Sequence, residues 1–147
     1  MRLAALLAGL AVLAADQLSK ALIRSLMTEG EVRQIAGPLD LVSVRNDGVA
    51  FGALGGSHPW LLVLVAVVIL AVLVTVVRGS ESRAVWIAAG AIAGGAAGNV
   101  IDRVAWGAVT DFIKVASWPA FNLADVAIVC GAIGLVWFAE RSDHADA

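Results

Sequence analysis

The stretch "WLLVLVAVVILAVLVTVV" at residues 60–77 contains no charged residue. A helix crossing the hydrocarbon core of a bilayer needs about 20 predominantly apolar residues, and this run reads as one. That reading decides the class of the protein, and the composition agrees with it. Of the 147 residues, 61% are hydrophobic and only 15% are charged, against roughly 45–50% and 25% in a soluble domain. The mean hydropathy is +0.91.

Working outward, three further apolar segments are visible, at about Leu3–Met27, Ala84–Ile101 and Leu123–Ala139. The sequence therefore predicts an all-α membrane protein with four transmembrane helices, a single domain over residues 1–147 with spans at about 3–27, 60–77, 84–101 and 123–139. The connections are a long one (28–58), a short one (78–83) and a medium one (103–120). In the long connection "LDLVSV" (39–44) alternates like a strand, and Asn46, Asp47 and Gly48 signal a turn. "VAFGAL" is apolar enough to lie in the membrane surface. A small extramembrane β/amphipathic platform is expected there, between helices 1 and 2.

The N-terminal "MRLAALLAGLAVLAADQ" imitates a cleavable signal peptide. Leu13 fits poorly three residues before a cut after Ala15, however, and the apolar helical pattern continues through Leu18, Leu22 and Leu26. An uncleaved span is the expectation. Gly90, Gly94 and Gly98 recur at four-residue intervals, which lets helix backbones approach closely. Four spans place Trp60, Trp106 and Trp118 at helix ends on one side and Trp86 and Trp137 on the other, as interfacial tryptophans require. The Lys and Arg distribution does not fix the orientation. A net charge of −2 excludes the basic face of a nucleic-acid binder. Cys130 is the only cysteine, so there is no internal disulfide and no cysteine-based metal cluster; its apolar surroundings predict a buried small hydrophobe.

Against this background the polar residues are conspicuous. A central Asp or Lys in a spanning helix costs about 2.5–3.5 kcal/mol on insertion scales. Each polar residue has an ordinary explanation taken singly. Asp16 and Lys20, four apart, can pair on one helix face. Asn122 can cap the fourth helix with Asp125 in its first turn. Asn99 and Asp102 share a face, Arg103 can anchor at the interface, and Asp111 can be a loop carboxylate. Together, however, Asp16, Asn99, Asp102, Asp111, Asn122 and Asp125 all fall toward one membrane face. Four carboxylates and two carboxamides converging there with few cations describe a site. A small proton-coupled transporter would also place such groups inside a bundle, but it needs a polar route to both faces. A purely structural subunit leaves the convergence unexplained.

"DQLSK" (16–20), "RNDGVAFG" (45–52), "GNVIDR" (98–103), "VTDFI" (109–113) and "FNLAD" (121–125) resemble, in order and spacing, the motifs of the lipoprotein signal peptidases (signal peptidase II). The resemblance covers essentially the whole chain. It implies a four-helix aspartic endopeptidase of the bacterial inner membrane, multi-pass, with both termini cytoplasmic and the active site toward the outer face. Its substrates would be prolipoproteins, cut before a diacylglyceryl-modified cysteine. It further implies Asp111 and Asp125 as the catalytic pair, with Asp16, Lys20, Asn46, Asn99, Asp102, Arg103 and Asn122 binding substrate or supporting the site. Partners would be lipid-modified prolipoproteins and membrane lipid. No cofactor, metal, nucleic acid or oligomer is required.

Overall fold

In the computed structural model, which describes residues 1–47, 74 and 79–145, three long helices meet a small sheet at one end. The elements are α1 (Arg2–Leu26), β1 (Val32–Ala36), β2 (Leu39–Asn46), α2 (Arg83–Trp106), β3 (Val109–Val115) and α3 (Leu123–Ala145). Helix α1 runs unbroken through Asp16, past the imitation cleavage point. The predicted span at 60–77, Trp60 and the "VAFGAL" segment lie outside the described residues.

Helices α1 and α2 run parallel and in contact. A Cβ on Gly9 would lie 2.9 Å from the Gly90 carbonyl oxygen, one on Gly90 would run into the Ala5 backbone, and one on Gly94 into the backbone of Gly9. The four-residue glycine repeat thus does what its spacing predicts, bringing the two backbones together. Helix α3 lies antiparallel to α2, with Ala124 against Gly95 near one end and Gly131 against Ala88 near the other.

The outward face of α1 is apolar: Leu3, Leu6, Leu7, Leu10, Leu18, Leu22 and Leu26 are all exposed. Helices α1 and α2 are long and apolar enough to cross a membrane, while the apolar part of α3, Leu123–Phe138, is shorter. Cys130 corrects its expectation. It is exposed on α3, because an apolar stretch in a lipid-type environment turns hydrophobes outward as readily as inward. Trp106 ends α2 and Trp118 follows at the same end, whereas Trp86 and Trp137 lie toward the other.

The platform also differs from its expectation. It is a three-stranded antiparallel sheet in the order β1-β2-β3. Two strands come from between the first two predicted spans, but β3 comes from the connection preceding α3. The fold is therefore not all-α, and the platform does not belong to one connection alone. Helix α2 also runs five residues beyond the predicted third span. Gly107, in the left-handed region at φ 75°, ends it with its N–H donating to the Arg103 carbonyl at 3.0 Å, a glycine helix stop. The turn leads directly into β3. Phe112 packs with Ile23 and Met27 beneath the sheet, which fixes the platform on the end of α1.

Candidate active site

Each candidate side chain is positioned by a different local rule, and the rules converge at the platform end of the helices. On α1, Asp16 and Lys20 form the expected i,i+4 pair at 2.8 Å, both fully buried. Lys20 also lies 3.4 Å from Asp102 on α2. Arg24, one turn further along α1, lies 3.6 Å from Asp102 and stacks on the Trp106 ring at 5.2 Å. Two cations and two carboxylates thus make a neutral cluster, buried except for the partly exposed Arg24.

The cluster also holds backbone. Asp102 accepts from the Thr110 N–H at 3.0 Å, tying α2 to β3. Asp16 accepts from the Ala124 N–H at 3.0 Å, so a carboxylate of α1 caps α3.

Asn122 is the N-cap of α3. Its Oδ1 accepts from the Asp125 N–H at 3.0 Å, while Asp125 Oδ2 accepts from the Asn122 N–H at 3.1 Å. This is a reciprocal capping box with Asp in the third helical position. With Oδ1 occupied, the Asn122 amide group points its Nδ2 at Asp111, 2.7 Å away, and at Asn99 Oδ1, 3.2 Å away. Asn99 in turn donates to Asp125 Oδ1 at 2.9 Å.

Asp111 reaches this point because β3 is pinned on both sides. On one edge Val44 pairs with Asp111 and Asn46 with Val109. Side chains two apart share a face, so Asn46 sits beside Asp111 and donates to it at 2.9 Å. On the other edge the Phe112 and Ile113 N–H groups donate to the Phe121 carbonyl at 3.0 and 2.9 Å, which delivers Asn122 next to Asp111.

The four carboxylates therefore fall into two kinds. Asp16 and Asp102 are paired with cations. No Lys or Arg among the described residues forms an ion pair with Asp111 or Asp125, and both are held by neutral amide and backbone donors. Burial pushes the Asp111 carboxyl above its ordinary range. The hydrogen bonds from Asn46 and Asn122 oppose this, the charge of Asp125 adds to it, and Lys20 opposes it least.

This arrangement can be set against known proteins. Residues 8–140 match the family described as signal peptidase (SPase) II. The chain belongs to the signal peptidase II family. Lipoprotein signal peptidases are among its relatives. That of Syntrophomonas wolfei is 44% identical over 129 residues, covering 86% of each chain. That of Pelotomaculum thermopropionicum is 39% identical over 128 residues, covering 86% of this chain and 84% of the relative. The fold is similar to a solved bacterial membrane enzyme at a TM-score of 0.79 and 30% identity, covering 97% of this chain and 90% of the other. The protein is accordingly a membrane hydrolase of the protease class.

All nine residues singled out in the sequence lie in or beside one network. Asp16, Lys20, Asn46, Asn99, Asp102, Asp111, Asn122 and Asp125 are linked as described. Arg103 is attached through Nη1 to the Asn99 carbonyl at 3.2 Å, and its buried Nε has no partner among the described residues.

Three participants were missed. Gln17 donates to Asp16, to Asp102 and to the Gly98 carbonyl at 3.1–3.2 Å, Arg24 joins Asp102, and Thr110 bridges Arg24 and Asp102. Arg24 had a legible signal, one helical turn beyond Lys20. Thr110 had none, since its role depends on the Asp102 side chain meeting its backbone.

Proposed function

We propose that this protein is an aspartic endopeptidase that removes signal peptides from diacylglyceryl-modified prolipoproteins, with Asp111 and Asp125 as its catalytic pair. The observation that carries the reading is the split among the carboxylates: two are neutralised by cations, and two are left facing one another's field across Asn122. Two carboxyls sharing a site cannot both ionise cheaply, so one keeps a proton while the other is a base. The base takes a proton from the water that attacks the scissile carbonyl. The acid donates to the carbonyl oxygen, and a proton later reaches the leaving amine. The unpartnered Nε of Arg103 is a donor suited to a substrate backbone carbonyl. Acyl chains of a lipid-modified substrate would remain in the bilayer beside the apolar helix faces while the peptide meets the pair.

The relatives' name, lipoprotein signal peptidase, supports the substrate class. Packing favours it over a proton-coupled transporter: away from the site, the α1–α2 contact is closed by glycine and alanine backbone. The deciding assay is incubation of purified protein with a diacylglyceryl-modified precursor. Cleavage before the modified cysteine is expected, and an intact precursor would sink the reading.

Four spans with cytoplasmic termini, the site toward the outer face and a single 1–147 domain form part of the same proposal. Support comes from direction. Because α1 and α2 are parallel, β2 ends beside Trp106 while α2 begins at Arg83, at its opposite end, and the uncharged sequence 60–77 has the length and composition of a span. In a Cys130→Ala background, Ser57→Cys and Ser80→Cys should be labelled from opposite sides of the membrane. Labelling from the same side would overturn the topology.

A further inference from the structure

The two carboxyls of the pair are held differently, and the difference begins with a buried cation that touches neither of them. Lys20 is fully buried and can only donate. Besides its two carboxylate partners it donates to Asn99 Oδ1 at 2.9 Å, and Asn122 Nδ2 donates to the same oxygen. An amide has one accepting end and one donating end. With two donors fixed on Oδ1, the Asn99 Nδ2 must be the end presented to Asp125, where it donates to Oδ1 at 2.9 Å. A flipped amide would set an NH2 against an ammonium and a carbonyl oxygen against a carboxylate.

The cation also polarises the amide it binds, which strengthens the donor at the other end. Asp125 takes its second hydrogen bond from backbone, the Asn122 N–H, within the first turn of α3, where the helix dipole favours negative charge. Asp111 has neither the relayed amide nor a backbone donor of this kind, and the charge of Lys20 is the weakest influence on it. It sits in a strand, buried, held by the side-chain amides of Asn46 and Asn122.

Resting on the peptidase reading, we infer that Lys20, acting through Asn99, is the positioning residue that keeps Asp125 as the ionised base and leaves Asp111 as the protonated acid. The direction given by burial at Asp111 agrees with that assignment. The other charged groups around the pair are Asp16 and Arg24 from α1 and Asp102 and Arg103 from α2. Asp16, Asp102 and Arg24 are ion-paired within the cluster that includes Lys20, and Arg103 is attached to the Asn99 carbonyl, so the contact that distinguishes Asp125 from Asp111 is the donor that Lys20 orients through Asn99.

The test is the pH profile of kcat/KM for cleavage of a diacylglyceryl-modified precursor peptide. Its acidic limb reports ionisation of the base in the free enzyme. Asn99→Leu removes the donor to Asp125 and leaves the Lys20–Asp16–Asp102 cluster in place. It should move the acidic limb upward by about one pH unit, the low end of what a directly placed opposite charge does. Lys20→Met should move it the same way, and Lys20→Arg, which keeps a charged donor, should restore most of the wild-type position. A residue that only stabilised the fold would lower the rate at every pH and leave the limb where it was. Asn99→Leu keeps the question answerable even where Lys20→Met fails to fold. If Asp111→Asn and Asp125→Asn are inactive but the limb of Asn99→Leu is unmoved, the relay is wrong and the peptidase reading stands; if those two variants cleave normally, the peptidase reading itself falls.

Discussion

Asp111→Asn and Asp125→Asn should each reduce cleavage of lipid-modified precursor by about 10²–10⁴-fold, the usual worth of general acid–base assistance, while the protein still folds and inserts. Asparagine nearly reproduces the shape of aspartate, but it can neither take the proton of the attacking water nor supply one to the carbonyl oxygen. The contacts around the pair allow the folded state to survive the change, because no cation is stranded by losing either charge. Asp125→Asn retains an oxygen for the Asn122 N–H, so the capping box is weakened rather than dismantled. The losses should be non-additive, since residues acting as one unit are disabled by removal of either. Turnover by the two single variants and the double variant checks this. Either single variant retaining more than about a tenth of wild-type turnover, well short of the expected loss, would refute the two-aspartate mechanism.

The second large effect falls on stability. Asp16→Asn and Asp102→Asn each remove one anion from the fully buried Lys20, and breaking a buried pair from one side typically costs about 3–5 kcal/mol. Lys20 retains its other carboxylate in each variant, so the low end, about 3 kcal/mol, is expected. For a chain of this size that corresponds to a fall in Tm of roughly 6–12 °C. Activity should fall as well, because Asp16 holds the first turn of α3 and Asp102 holds the start of β3. Thermal unfolding in detergent alongside the cleavage assay would show it. Wild-type Tm and full activity in both variants would mean that the cluster does not support the site.

The parts of the structure governed by local rules were legible in the sequence. The start of α3 at Leu123, its Asn122 cap, the Asp16–Lys20 pair and the close glycine packing all follow from spacing within a few residues. Strand β3 was not legible. "VTDFIKV" is rich in β-branched residues, yet an isolated seven-residue segment gives no sign that its partner lies some seventy residues upstream in β2. The exposure of Cys130 was missed for another reason, since an apolar run does not say which of its faces turns inward. The convergence of the acidic residues could be read from helix direction and depth. Their division into cation-paired and unpaired kinds could not, because it depends on which side chains meet across α1, α2 and the sheet.

The Asp16–Ala124 hydrogen bond joins residues 108 positions apart, and this has a bearing on biosynthesis. A nascent chain inserts its first helix with a buried-type carboxylate whose backbone partner has not yet been translated. Asp111 likewise waits for Asn122, eleven residues later. Until the final helix enters, the growing polypeptide carries neither Asp125 nor the cap that aligns it. On the two-aspartate proposal, hydrolytic competence waits until residue 125 has been translated, and a chain truncated before residue 122 should be inert.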